Sequence, residues 1–270
     1  MELILLLSLI LVGLVAGLLG ALFGIGGGII IVPMLTICYG LSAADAAAVS
    51  LVGIVATSVG GTVYYMDKGV TNIRLGLLLE ISTVIGSVIG VFLALATESW
   101  VIMVVFSAVM ILTAVKMLIN PSADIPDKED GEFAYNDLKE NKTIHYDIEH
   151  KKFGFSTCVV AGIISSMTGV GGGLIKVPVM NMIMKVPMKA AVATSNYMIG
   201  ITAFSGSILY FLSGHVELQT AGFVAIGTFL GAMIGSRLSR KFDTSSMKKY
   251  FSILVLAIAA VMLLEAGGVL

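Results

Sequence analysis

Long apolar runs separated by short polar breaks dominate the chain, and ten such segments can be read along it. A run of about 20 apolar residues is long enough to cross roughly 30 Å of hydrocarbon as a helix, whereas the second segment of each set of five is too short. The pattern therefore predicts an all-α integral membrane protein with about 8 to 10 hydrophobic segments. The segments run approximately over residues 3–22, 29–39, 44–66, 73–96, 100–119, 153–167, 174–184, 190–212, 218–238 and 250–264.

The ten segments form two sets of five, because the chain aligns with itself when it is shifted by 145 positions. Chance similarity between apolar stretches would not keep glycine and proline in register over about a hundred positions. The matching pairs are Gly17 and Gly162, Pro33 and Pro178, Ser50 and Ser195, Thr57 and Thr202, Gly61 and Gly206, Tyr65 and Tyr210, Gly86 and Gly231, and Gly90 and Gly235. We divide the chain into a first membrane repeat (1–119), a linker (120–152) and a second membrane repeat (153–270).

A glycine cluster interrupts the apolar pattern at the same place in each repeat. Four glycines within five residues weaken a helix, and glycine reaches positive φ at little cost. Short, glycine-interrupted segments at matching positions of two repeats are typical of the broken helices of secondary transporters. The breaks contain Gly24, Gly26, Gly27 and Gly28 before Pro33, and Gly169, Gly171, Gly172 and Gly173 before Pro178.

A half-helix that begins just after each break would direct unpaired N–H groups and the positive end of its dipole at one place, which favours an anion. If the two hairpins are re-entrant from opposite faces, their tips meet near the membrane midplane and can bind a small anion there. The alternative is that the glycines only allow close helix packing.

Composition supports the membrane assignment and leaves little room for other chemistry. Hydrophobic residues make up 57% of the 270 positions and charged residues 12%, and the mean hydropathy is +1.02. Cys38 and Cys158 lie in apolar segments without metal-ligand spacing, and His145 and His150 of the linker are weak evidence for a metal. The sequence contains no signature of an ATP-driven pump or a hydrolase. We therefore predict no enzyme, no cofactor, no metal and no nucleic-acid partner.

Basic residues indicate the orientation in the membrane. With an odd number of crossings in each repeat, or with three crossings plus a re-entrant hairpin, nearly all of them fall on one face, which is cytoplasmic by the positive-inside rule. This places the linker in the cytoplasm, as a polar connector with partial disorder, and both termini on the outer side. The two repeats then have inverted topology. The residues are Lys68, Arg74, Lys116, Lys128, Lys139, Lys142, Lys151, Lys152, Lys185, Lys189, Arg237, Arg240, Lys241, Lys248 and Lys249.

Two charged residues lie inside apolar segments. Lys176 comes three positions after Gly173, and the first repeat has Ile31 at the matching place. A lysine at membrane depth costs roughly 2.5 to 3.5 kcal/mol, so it should face a partner or a watery cavity, or else extend to the interface. Glu80 lies about two turns into the fourth segment. It is either a proton-coupling residue or a carboxylate that reaches the cytoplasmic interface.

Hydroxyl and amide groups follow each short segment. Such groups can donate hydrogen bonds to an oxyanion without a fixed charge, which allows release. Back-bonding to the preceding helical turn is the alternative for any single serine or threonine. The substrate-binding candidates are Ser50, Thr194, Ser195 and Asn196, and Thr57 and Thr202 are candidates for lining the same path.

Each GxGGGxxxxP stretch is followed by a short element with a serine, Val49-Ser50 in the first repeat and Thr194-Ser195 in the second. With these elements, the chain resembles the TauE/SafE family of membrane permeases, also called the sulfite exporter or anion permease family. The resemblance covers nearly the whole chain outside the linker. It implies an inner-membrane carrier of sulfite, sulfonates or related small anions that uses an ion gradient. The family's Thr-Ser element matches Thr194 and Ser195, whereas the first repeat has Val49 and Ser50.

The sequence favours a secondary transporter with alternating access around a midplane site. Its predicted partners are a small anion, the lipid bilayer, a coupling proton or Na⁺, and further copies of itself in a homo-oligomer. A passive anion channel, or a membrane assembly partner that transports nothing, remains the alternative.

Overall fold

In the computed structural model, the structure describes residues 2–119, 128, 131–137, 142–239 and 244–267. The linker positions 120–127, 129–130 and 138–141 and the basic residues Lys139, Arg240 and Lys241 therefore lie outside the described residues. The helices are α1 (Glu2–Phe23), α2 (Gly28–Pro33), α3 (Ala43–Asp67), α4 (Ile73–Leu95), α5 (Ser99–Ile119), α6 (Lys151–Thr168), α7 (Gly173–Pro178), α8 (Met188–Leu212), α9 (Leu218–Leu238) and α10 (Thr244–Ala266).

Each predicted apolar segment coincides with helical structure, and the helices break at both glycine clusters. Within the described residues, four helical stretches are long and apolar enough to cross a membrane: Ile4–Phe23, Ala43–Asp67, Ile73–Leu95 and Leu218–Leu238. Many apolar side chains on the outside of the bundle are exposed, among them Leu11, Ile81 and Phe92, at 62% each. An apolar exterior of this extent suits a lipid environment, and the chain is a membrane protein whose apolar segments are helical.

Helices from the two halves of the chain pack directly on one another. Helix α1 lies along α9, and α4 lies along α6, with glycines in both contacts. A Cβ atom on Gly231 would lie 2.0 Å from the Leu14 carbonyl oxygen, and one on Gly86 would lie 2.1 Å from that of Val159. The glycines at these matched positions thus let the backbones approach closely.

Two helical hairpins open at opposite ends of α3. The first consists of α1 and the short arm at residues 28–38, and the second consists of α6 and the short arm at residues 173–183. In the first, the short arm returns beside α1, because the Tyr39 and Ser8 hydroxyl oxygens are 2.5 Å apart; α3 begins four residues later, at Ala43. In the second, the Glu149 N–H donates to the Met184 carbonyl at the start of α6. That open end is joined through the linker to Gly69, just after the last residue of α3.

Part of the linker is an ordered β-hairpin, which the sequence analysis did not predict. Strands β1 (Phe133–Asp137) and β2 (Lys142–Tyr146) are antiparallel, with Phe133 opposite Tyr146 and Tyr135 opposite Ile144. These four side chains share one face of the hairpin and pack with the end of the helix bundle. The surrounding charges suggested disorder, but Phe133 and Tyr135 lie two positions apart, as do Ile144 and Tyr146. This is the spacing of side chains on one face of a half-buried strand.

The β-hairpin connects loops from both halves of the chain. The Asn136 N–H donates to the Gly69 carbonyl, and Asn72 donates through its side chain to the Tyr146 hydroxyl at 2.8 Å. Lys189 contacts both carboxylate oxygens of the buried Asp137, at 2.6 and 2.5 Å. The loop after α3 and the first turn of α8 are therefore held together at one end of the bundle.

At the edge of this hairpin, the Asp147 carboxylate accepts hydrogen bonds from the Glu132 backbone N–H at 2.9 Å and from Lys128 at 3.0 Å. The Glu132 N–H, and to a smaller extent Lys128, hold the pKa of the Asp147 carboxyl below its usual range, because both stabilise the charged form.

Candidate functional site: two glycine tips and a buried ion pair

The two helical hairpins each end in a glycine cluster, at residues 24–28 and 169–173, and these two glycine tips contact each other. Gly27 and Gly172, at the N-terminal ends of α2 and α7, have φ of 91° and 67°, values at which a side chain would be strained. A Cβ atom on Gly28 would lie 2.1 Å from the Gly169 carbonyl oxygen, and one on Gly173 would lie 2.1 Å from that of Gly24. Both the conformation and the close approach explain why these tips consist of glycine.

Ser50 and Ser195 fasten each tip to a helix of the opposite half. The Ser50 hydroxyl on α3 donates to the Gly169 carbonyl, and the Ser195 hydroxyl on α8 donates to the Gly24 carbonyl, both at 2.6 Å. Both serines are fully buried. Each hydroxyl hydrogen is therefore engaged by the backbone in this structure, while the hydroxyl oxygen still has acceptor capacity.

The tips lie near the middle of the bundle. Cβ atoms on Gly26 and Gly171 would contact Ile54, at 2.9 and 3.1 Å, and Gly26 also faces Ile199. Ile54 and Ile199 are close to the midpoints of α3 and α8, each of which has 25 residues.

Beside the second tip, Lys176 forms a buried ion pair with Glu80. The Lys176 ammonium of α7 lies 3.3 Å from the Glu80 carboxylate of α4 and donates to the Thr202 hydroxyl of α8 at 2.7 Å. The Thr202 hydroxyl in turn donates to the other oxygen of Glu80. All three residues are at most 3% exposed. Three helices thus converge on one buried cation and one buried anion.

The position of Glu80 corrects the expectation that its carboxylate reaches the cytoplasmic interface. The residue lies two turns into α4 on the face turned toward α7 and α8, so its side chain points into the protein. Lys176 likewise does not extend to an interface, because its own carboxylate partner is available inside the bundle. A buried charge is stable only with such a partner.

The other predicted site residues do not form one cluster. Thr57 donates to the Gly53 carbonyl one turn back, which is the back-bonding alternative. The Thr194 hydroxyl accepts from the Asn72 N–H at 2.9 Å. Asn196 donates to the carbonyl oxygens of Ala21 and Val192.

Pro33 and Pro178 end the short helices α2 and α7, and a π-helical turn follows each, at Met34–Cys38 and Val179–Ile183. Proline has no N–H to continue the α-helical hydrogen bonding, so a change of helix type at this point is expected.

Two buried polar atoms near the tips lack a hydrogen-bond partner among the described residues. They are the Ser165 hydroxyl and the side-chain oxygen of Asn196. The Ser165 hydroxyl oxygen lies 3.4 Å from the place that a Cβ atom on Gly172 would occupy, so it is adjacent to the second tip. A buried polar group without a partner is uncommon and often marks a functional site.

Sequence reasoning also missed a serine cluster on the far side of Thr202. The Ser87 and Ser166 hydroxyl oxygens are 2.6 Å apart, and Ser205 donates to Ser87 at 3.0 Å. Ser87 and Ser205 also donate to the Thr202 carbonyl. The positions that match these three serines in the other half of the chain are Ala232, Ala21 and Gly60, which carry no hydroxyl. This difference was a signal that the sequence offered.

No group of three or more His, Cys, Asp or Glu side chains suited to a metal ion occurs among the residues that the structure describes.

Comparison with known proteins gives the family. The family whose description is "Sulfite exporter TauE/SafE" matches residues 9–262. The chain belongs to the TauE/SafE sulfite exporter family. A probable membrane transporter protein of Bacillus subtilis, YunE, is 28% identical over 95% of this chain and 97% of its own length. A probable membrane transporter protein of Methanocaldococcus jannaschii is 26% identical, over 97% of both chains. No solved structure matches the chain.

As a TauE/SafE protein, the chain is a multi-pass membrane transporter, and the family is one of transporters rather than enzymes. The resemblance drawn from the repeated glycine motifs is thereby confirmed. The family model covers both glycine tips, Lys176 and Glu80 within its matched range.

Proposed function

We propose that the protein is a secondary transporter of a small sulfur-containing or organic anion, such as sulfite or a sulfonate, and that an ion gradient drives it. The observation that carries this proposal is the buried Lys176 ammonium beside the second glycine tip, near the middle of a membrane protein. A fixed positive charge at this depth attracts an anion and repels a cation.

The proposed binding region lies between the two tips and Lys176. The Ser165 hydroxyl is adjacent to this region and has no described partner, so it is available to donate to an oxyanion. Ser50 and Ser195 hold the tips in place through the carbonyl oxygens of Gly169 and Gly24. The tips are in direct contact in this structure, so binding would require them to separate.

Alternating access is supported by the arrangement of the hairpins. They open at opposite ends of α3 and meet near its midpoint. A relative rotation of the two halves would open the tip region toward one end of the bundle and close it from the other. On this proposal the repeats are inverted, the linker and the nearby Lys189 are cytoplasmic, and both termini face outward.

Glu80 is the proposed proton-coupling residue. Its carboxylate is buried beside Lys176 and hydrogen-bonded to Thr202, which places a protonatable group at the candidate site. An intramembrane carboxylate paired in this way is typical of proton-coupled carriers.

The test is flux of small anions in proteoliposomes that contain the purified protein. Sulfite, methanesulfonate and acetate should be supplied in turn, with and without an imposed pH gradient. Saturable, gradient-driven flux of at least one of these anions is expected. Unsaturable conductance would favour a channel, and absence of flux and of binding for all of them would overturn the proposal in favour of an assembly partner.

A further inference from the structure

Lys176 and Glu80 belong to different halves of the chain, and the 145-residue alignment matches neither of them to a charged residue. The matching positions are Ile31 and Ala225, which carry no charge, while Thr202 is matched by Thr57. The pair is therefore an addition to a symmetric framework, and its two charges lie where the halves meet. General folding of the repeat does not need it, because the first half buries Ile31 at the same place.

Glu80 holds Lys176 loosely. The distance of 3.3 Å from Nζ to Oε2 is longer than the roughly 2.7 to 2.9 Å of a strong charge-assisted hydrogen bond. The closer partner of the ammonium is the neutral Thr202 hydroxyl, at 2.7 Å, which also donates to the carboxylate. Thr202 could hold both side chains in position while the carboxylate exchanges its role with another anion.

The surroundings contain few other charges. Among the described residues, the titratable groups that face Glu80 are Lys176 on α7 and the Cys158 thiol on α6, and α8 contributes the neutral Thr202. The ammonium thus has one carboxylate to balance it. If that carboxylate takes up a proton, the positive charge at the tip is unbalanced and becomes a binding site for an anion.

We infer that the Glu80 carboxylate and the transported anion compete for Lys176, so that one proton and one singly charged anion bind together. In the empty state, Lys176 is balanced by the Glu80 carboxylate. In the loaded state, Glu80 carries a proton on one of its oxygens, Lys176 remains an ammonium, and the anion replaces the carboxylate as its counter-charge. The step adds one proton and one negative charge, so the net charge of the site does not change.

This inference deepens the proposed function and rests on it, because it names the charge of the substrate. A single ammonium balances a single negative charge, and a dianion would leave an unbalanced charge in the protein interior. The substrate class is therefore the monoanions, such as a sulfonate or hydrogen sulfite, rather than sulfate.

The test measures the Kd of methanesulfonate for the purified protein in detergent, from about pH 6 to about pH 8, because this probe keeps its single charge throughout the range. The Kd of the wild-type protein should rise as the pH rises, by at most about tenfold per pH unit, because one proton accompanies each bound anion. For Glu80→Gln the Kd should be independent of pH. A wild-type Kd that does not change with pH, or a Glu80→Gln variant that keeps the full dependence, would overturn the inference.

The double variant Glu80→Gln with Lys176→Met separates binding from folding. It removes both charges together, so it should fold with an unfolding midpoint close to that of the wild type but bind methanesulfonate at least about tenfold more weakly. Sulfate should compete with methanesulfonate at least about tenfold less well than nitrate does. Equal competition by sulfate, or unchanged binding in the double variant, would contradict the assignment of Lys176.

The outcomes for the inference and for the proposed function are distinguishable. If methanesulfonate, sulfite and acetate are all neither bound nor moved, the proposed function fails and the inference with it. If an anion is bound without linkage to protons, the transporter proposal stands and only the exchange between Glu80 and substrate is wrong.

Discussion

The hydroxyl of Ser50 donates a 2.6 Å hydrogen bond to the carbonyl oxygen of Gly169, which lies in the glycine tip of the opposite half of the chain. Ser195 makes the same contact with Gly24, at the same distance. Each tip therefore depends on a helix of the other half, and the two halves cannot reach this arrangement independently.

Ser50→Ala and Ser195→Ala should each destabilise the protein by about 1 to 3 kcal/mol, because each leaves a tip carbonyl without its buried donor. The measurement is the midpoint of thermal unfolding in detergent. Ser207→Ala is the matched control, since the Ser207 hydroxyl donates to the Phe204 carbonyl of its own helix. A Ser50→Ala protein as stable as this control would show that the tip contact contributes little.

Gly231→Ala should destabilise the contact between α1 and α9 by about 1 to 3 kcal/mol, because the new methyl group would lie 2.0 Å from the Leu14 carbonyl oxygen. Gly222→Ala on the same helix is the control, since nothing lies within 4 Å of its Cβ position. Alanine also favours the helix over glycine by about 1 kcal/mol, so Gly222→Ala should be neutral or stabilising. Comparable losses in the two variants would contradict this account of the packing.

The glycine tips show how far the sequence alone could lead. Clustered glycines with positive φ predicted the helix breaks, and α2 and α7 begin at Gly28 and Gly173 as expected. Every apolar segment could be recognised because burial in lipid or protein demands apolar residues throughout. The partner of Lys176 could not be found this way, since Glu80 is 96 positions away and apolar helices carry no periodic signal that fixes their rotation.

The β-hairpin was missed for a different reason. Each strand has only five residues and only two large apolar side chains on its buried face, and the stretch around it is rich in charge. Such short strands are stable because they pack on the end of the bundle, through Tyr146 and Asn72. Tertiary contacts of this kind override a local composition that favours disorder.

Lys189→Ala should loosen the attachment of the β-hairpin to the start of α8, because the buried Asp137 carboxylate loses its contact with the Lys189 ammonium. The measurement is amide hydrogen exchange at 133–137 and 142–146, which should become at least about tenfold faster. Lys68→Ala is the control, since Lys68 and Asp67 form an exposed pair of small energetic value. Unchanged exchange in Lys189→Ala would mean that the contacts of the hairpin with Gly69 and Asn72, together with its aromatic packing, hold it without the ion pair.

Acid should loosen the same hairpin through Asp147. The pKa of this carboxyl is lowered in the folded protein, so its contribution to stability is present above the unfolded value of about 3.9 and is lost as the pH falls through the folded pKa. The protection of the amides at 142–146, taken relative to their intrinsic exchange rates at the same pH, should therefore fall below about pH 4. In Asp147→Asn, these amides should exchange faster than in the wild type at neutral pH, and their protection should fall less on acidification. If their protection falls as much as in the wild type, carboxylates other than Asp147 cause the loss of protection in acid.

Flux of methanesulfonate into proteoliposomes, with Lys176→Met compared with Ile31→Met, tests the central claim most directly. Both variants place methionine at a buried position beside a glycine tip, but only one removes the ammonium. The account predicts saturable flux in the wild type and in Ile31→Met, and a loss of at least about tenfold in Lys176→Met. Equal flux in Lys176→Met and Ile31→Met, with both proteins folded, would contradict the claim that Lys176 binds the transported anion.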